Sequence, residues 1–149
     1  EIARMRKVTD CTSDEGEMAT AESFRVDAAT TMVLLSCGHG AYNMSSVPLI
    51  LTGSGKTRAI RIAPFDYSGG VSDSKTAPYA LLTNAGWDDA SARLQSYAKG
   101  RGIGDCGTAE SWVWDGRKLR LIEYTAMDEC RGAFDGWPTL WRADAKRVK

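Results

Sequence analysis

At 149 residues, with 43% hydrophobic and 26% charged side chains, the chain can bury a core of its own and has an ordinary globular composition. Nineteen basic and nineteen acidic residues cancel, which excludes the one-signed field of a nucleic-acid or membrane-surface binder. No apolar run approaches the length of a spanning helix, the longest being Met32–Leu35 and Val47–Leu51.

The chain opens with Glu1-Ile-Ala-Arg-Met-Arg-Lys, where Ile2 and Met5 at helical spacing read as the tail of a helix. A first residue other than Met fits a processed or trimmed N-terminus. Cys11 to Ala19 is polar and acidic, an exposed loop. Phe24-Arg-Val-Asp and Thr31-Met-Val-Leu-Leu-Ser are β-rich runs around Ala28-Ala-Thr, which predicts a hairpin. Val47–Thr52 and Arg58–Ala63 are two more strands, joined by the turn Gly53-Ser-Gly-Lys-Thr. Pro64 to Thr83 reads mostly as loop, with a short strand at Tyr79-Ala-Leu-Leu. Trp87, Ala90, Leu94, Tyr97 and Ala98 fall on one helical face and predict a helix over about 88–99. Asp88 and Asp89 suit its start, and Gly100 its left-handed stop. A glycine-rich connector, Gly100–Gly107, leads to a hairpin folded about Asp115-Gly116. Trp137-Pro-Thr-Leu-Trp-Arg forms a last strand, and Ala143–Lys149 a basic tail.

One pattern is written twice. Thr20-Ala-Glu-Ser-Phe-Arg-Val-Asp27 leads through Met32-Val-Leu-Leu to Cys37-Gly-His-Gly-Ala-Tyr-Asn43. Thr108-Ala-Glu-Ser-Trp-Val-Trp-Asp115 leads through Leu119-Arg-Leu-Ile to Cys130-Arg-Gly-Ala-Phe-Asp135. A cysteine precedes each copy, and a proline with apolar neighbours follows it. The expected organisation is one domain over 1–149 with a pseudo-repeat at about 10–62 and 104–143. The predicted fold class is α+β, mainly antiparallel sheet from two β units, with the helix at 88–99 and a second at the N-terminus. Ala92-Arg-Leu then corresponds to Ala3-Arg-Met as the helix opening each unit.

Four widely spaced cysteines and a single histidine do not make a zinc site, so no metal is expected. Two disulfides fit better and place the protein in an oxidising compartment. Three connectivities are open; the repeat favours Cys11–Cys37 and Cys106–Cys130, each worth about 3 kcal/mol in the chain-entropy model.

The tempting motifs lose to plainer readings. Gly53-Ser-Gly-Lys-Thr57 lacks the leading glycine of a phosphate loop and is followed by strand-like alternation, so it is a hairpin turn. Gly100-Arg-Gly-Ile-Gly does not open a helix, which removes the dinucleotide reading and leaves a linker, favoured over an anion-binding role for Lys99 and Arg101. Cys37-Gly-His39 is no nucleophile and base if Cys37 is disulfide-bonded. Asp115 and Asp135 each precede a glycine and read as turn residues.

The segments Lys99–Gly107, Trp112–Gly116, Met127-Asp-Glu-Cys-Arg-Gly132 and Trp137-Pro-Thr-Leu-Trp-Arg142, with Phe24–Asp27 and Cys37–Asn43 upstream, resemble a bacterial envelope family. It is known as domain of unknown function 1176. The resemblance spans about residues 10–143 and implies an exported, periplasmic protein of Gram-negative bacteria, cut from longer chains. It transfers no catalytic residue and no cofactor.

These features point to a non-catalytic periplasmic module with a protein partner in the cell envelope, at its narrowest an inhibitor or immunity protein against an envelope-targeting enzyme. The expected surface is the turn after each second cysteine: His39, Tyr42 and Asn43, then Arg131, Phe134, Asp135 and Trp137. The alternatives are an envelope hydrolase or small-ligand binder using carboxylates and His39 in a cleft, and a structural envelope domain.

Overall fold

A computed structural model describes residues 1–11, 20–71, 78–132 and 134–146. The acidic loop expected over 12–19 lies outside them, as do 72–77, Ala133 and the last residues of the basic tail. The elements in order are α1 (Ile2–Thr9), β1 (Ala21–Arg25), β2 (Thr30–His39), β3 (Met44–Thr52), β4 (Ala59–Ile62), β5 (Leu82–Thr83), β6 (Gly86–Asp88), β7 (Arg93–Lys99), β8 (Gly107–Trp114), β9 (Leu119–Met127) and β10 (Thr139–Arg142). All strand pairs named here are antiparallel, in two five-stranded sheets. The first has the order β1-β2-β3-β4, with β5 pairing the start of β3. The second has the order β10-β9-β8-β7-β6.

The apolar runs on β2 and β3 decide how these parts stack. A strand with one wet face alternates apolar and polar, whereas a strand covered on both faces is apolar throughout. Met32, Leu34 and Ile50 point toward the second sheet and share a core with Leu94, Trp112 and Leu119. Val33, Leu35, Val47, Leu49 and Leu51 point the other way and are covered by Met5 of α1 and by Cys11. The molecule is therefore layered as helix, sheet, sheet.

Both expected disulfides are present, Cys11–Cys37 and Cys106–Cys130. They place the folded chain in an oxidising compartment. Gly53–Thr57 is the turn between β3 and β4, tightened by one turn of 3-10 helix, and not a phosphate loop. The two Thr-Ala-Glu-Ser words fall on the first strands of two hairpins, β1–β2 and β8–β9. No helix among the described residues is long and apolar enough to cross a membrane.

The helix expected over 88–99 is not there. Those residues form the hairpin β6–β7, and the supposed helix opening at Ala92-Arg-Leu is its turn and the start of β7. Trp87 and Leu94, seven apart, are cross-strand partners, so a hairpin reproduced a helical interval. Asp88 does not cap a helix: its carboxylate accepts the Ala90 amide and the Ser91 hydroxyl and closes the turn. The period of two on β7 is disguised because its second inward residue is Ser96. That buried hydroxyl donates to the Thr83 carbonyl and accepts the Thr83 amide, so its burial leaves nothing unpaired.

Trp112 joins the layers. Fully buried, it packs edge-on against Phe65 at 5.3 Å and donates its indole N–H to the Tyr67 carbonyl at 2.8 Å. Trp112→Ala is expected to cost about 3–5 kcal/mol, read from urea unfolding. Peptide mapping without reductant is expected to recover Cys11 linked to Cys37 and Cys106 linked to Cys130; a Cys37–Cys106 peptide would contradict the fold.

Candidate functional site

The loops after the second cysteines meet at one end of the molecule, on the connector between β7 and β8. β2 ends in a bulge between Ser36 and His39, and the Gly40 amide bonds the Asn43 carbonyl to turn the chain into β3. His39 is exposed on this turn, its Nδ1 3.3 Å from the Gly40 carbonyl oxygen. Tyr42 is exposed and donates its hydroxyl to the Gly100 carbonyl at 3.3 Å. Asn43 is different. Its amide group donates to the Lys99 carbonyl at 3.0 Å and accepts the Lys99 amide at 3.2 Å, as a paired backbone would. Asn84, just past β5, donates to Asn43 at 3.0 Å and to the Tyr97 carbonyl at 2.9 Å. Two asparagine side chains thus hydrogen-bond the first sheet to the end of β7.

The second loop is held by charge. Asp105 is fully buried, and Arg101 grips it with Nε at 2.7 Å and with Nη2 on the other oxygen. The Gly132 amide donates to the same carboxylate at 2.6 Å, and Arg101 reaches the Cys130 carbonyl at 3.2 Å. Arg101 beside it and the Gly132 amide outweigh burial and hold the Asp105 carboxyl down to about 2. Trp137 stacks on Tyr97, ring centroids 5.4 Å apart, while Tyr97 donates its hydroxyl to the Gly104 carbonyl at 2.6 Å. Arg131 pairs with Glu129 at the surface. Phe134 is 60% exposed, and Asp135 is exposed beside it in sequence.

The seven expected residues therefore divide. Asn43 and Trp137 are committed to holding the loops, and Tyr42 partly so. His39, Arg131, Phe134 and Asp135 face solvent. Asp105 and Arg101 went unnoticed as a pair because glycine-rich spacing was read as linker, although an Arg and Asp four residues apart were there to see. Ile103, at the tip of the same connector and 61% exposed, was also missed.

Asp105, Cys106 and Cys130 place ligand-type atoms within 4.8 Å of one another. Both sulfurs are spent in the disulfide and the carboxylate is taken by Arg101 and Gly132, so the donors suit a structural clamp and not a cation. His39 stands on the first sheet, whereas the carboxyl that burial pushes up, Glu110, stands on the second. The Gly69 amide, 2.8 Å from Glu110, offsets that push in part. Asp115 accepts the amides of Arg117 and Lys118 and serves its turn.

The depressed Asp105 value fixes the sign of an acid effect. Stability from this group is complete above its ordinary pKa of 3.8 and is lost as pH falls through about 2. Asp105→Asn is expected to lower the thermal midpoint by on the order of 10 °C at neutral pH. It is also expected to flatten the loss of stability between pH 4 and 2, followed by circular dichroism.

Among curated proteins the chain is similar to an uncharacterized protein, YpfG, of Escherichia coli (strain K12), at 34% identity over 112 residues. Those residues are 74% of this chain and 31% of the relative, so the chain spans about a third of that protein. No solved structure matches. The family model described as a protein of unknown function (DUF1176) matches residues 3–144, and the chain belongs to that family.

Proposed function

We propose that the chain is a protein-binding module of the cell envelope, without catalytic chemistry of its own, and that it binds through the end where the two post-cysteine loops converge. The observation that carries this reading is the exposure of Phe134, Ile103 and Tyr42 on loops fixed by a disulfide and by the Asp105 clamp. Apolar anchors on a rigid frame lose little freedom on binding, which is what interface hot spots require. Arg131 and Asp135 supply a polar rim.

Periplasmic residence fits the two disulfides and the absence of an unpaired cysteine among the four. An inhibitor or immunity role against an envelope-targeting enzyme is the narrowest form of the reading, since such proteins work by occupation alone. The equivalent placing of the two loops supports a duplicated hairpin unit as their origin.

The test is capture from periplasmic extract with wild type and with a Phe134→Ala, Ile103→Ala double variant. Both side chains are exposed, so the variant should fold unchanged by circular dichroism. A partner retained by wild type and reduced about tenfold or more by the variant is expected. Equal retention, or no partner under any growth condition, would overturn the reading.

A further inference from the structure

A second apolar feature lies on the inner side of the strand that follows the Cys130 loop. Among the described residues β10 is the free edge of the second sheet, and all four of its residues are exposed. Trp141, paired across from Tyr124, is 53% exposed. With Tyr67, Tyr124, Leu121 and Asp66 it lines an open cleft of about 390 Å³. The rings of Tyr67 and Tyr124 meet edge-on at 6.1 Å and 62°. The backbone of Tyr67 is pinned from below, because Trp112 donates to its carbonyl.

Acidic groups surround these rings. Glu110 sits opposite Tyr124 in the β8–β9 ladder and is only 5% exposed. Among the described residues the one hydrogen bond its carboxyl accepts is the Gly69 amide. Glu110 and Asp128 both act electrostatically on the Tyr124 hydroxyl and, after burial and Tyr67, help to raise its pKa. Asp66 accepts the Leu121 amide at 2.9 Å with one oxygen, and its other oxygen has Arg120 as a distant ion-pair partner. The neighbouring cations are occupied. Arg120 holds Asp115 at 2.6 Å and reaches Asp66 only at 3.9 Å, and Arg142 holds Glu123 at 2.5 Å. A desolvated carboxyl with one donor, beside electron-rich ring faces, is short of positive charge.

We propose that this cleft takes the basic side chain of an extended partner segment, a lysine or arginine laid against Tyr67, Tyr124 and Trp141 with its charge toward Asp66 and Glu110. The edge of β10 that is unpaired among the described residues supplies backbone groups for the segment itself, so main-chain pairing gives affinity and the cleft gives selectivity. An anionic segment is rejected by the same carboxylates. The inference rests on the protein-binding reading and names the chemistry of the partner.

The probes are three blocked tripeptides, acetyl-Val-Arg-Val-amide, its Lys counterpart and its neutral Gln counterpart, titrated into the full chain. The indole N–H resonance of Trp141 reports binding. Saturable shifts are expected with the basic peptides, at dissociation constants about tenfold or more below that of the Gln peptide. Trp141→Ala is expected to abolish peptide binding, followed in that variant on the backbone amide of Tyr124, and Glu110→Gln or Asp66→Asn to reduce the preference for basic over neutral. Asp66 lies at the surface, so its variant remains informative if the Glu110 variant fails to fold. Equal constants for all three peptides, or shifts confined to other tryptophans, would overturn the proposal. A null titration with partner capture through Phe134 and Ile103 intact would remove the cleft alone. A positive titration with that capture absent would uphold the cleft and remove the loop surface.

Discussion

Burial of β2 and β3 on both faces is the constraint on which the other layers depend. Neither strand has a solvent side, so neither sheet nor helix is stable without the others. An eight-residue helix such as α1 would be marginal alone. It persists because Met5 is buried in one cluster with the outer-face residues of β2 and β3, and because the chain just beyond it is tied to β2 by Cys11–Cys37. Tyr79 adds a hydrogen bond to the Thr9 carbonyl, closing the same corner from the other side.

Polar contacts then fix the two sheets at opposite ends, leaving the apolar middle to pack. At one end Trp114 donates to Asp27 at 2.8 Å, and Arg61 lies over the same indole. At the other end the Asn43 and Asn84 amides bond the backbone of β7. Both disulfides and the Asp105 clamp gather at this second end. The loops there are presented on crosslinked, hydrogen-bonded chain, and their exposed apolar groups cannot easily retreat inward. Gly107 shows how tight the junction is: with φ at +135°, a Cβ there would overlap the Ala98 carbonyl oxygen.

Much of this was legible in the residues, for identifiable reasons. Continuous apolar runs gave β2 and β3, Asp115-Gly116 gave the β8–β9 hairpin, and the repeated order of cysteines gave their pairing. The hairpin at 86–99 was not legible, because Trp87 and Leu94 satisfy a helical interval and a cross-strand pair alike, and Ser96 hides the alternation. The cleft was invisible for a different reason. Tyr67 comes from a loop, Glu110 from β8, Tyr124 from β9 and Trp141 from β10, so no local spacing joins them. Asn43 misled in its own way: an Asn in a turn reads as surface, yet here it completes a backbone ladder between sheets.

The tryptophans show how the fold separates structural from available surface. Trp112 and Trp114, two apart on β8, share its inner face, one wholly buried and one tied to Asp27. Trp87 packs on the same core from β6 and donates to Asp89. Trp137 is held against Tyr97. Trp141 alone among the five is mostly exposed, on a strand whose outer edge has no neighbour among the described residues. An exposed indole on an open edge is an aggregation hazard unless charge guards it. Arg142 beside it, with Glu123, Asp66 and Arg120 nearby, provides that guard. A side chain that costs protection and contributes little to the core is better explained by what it meets than by what it supports.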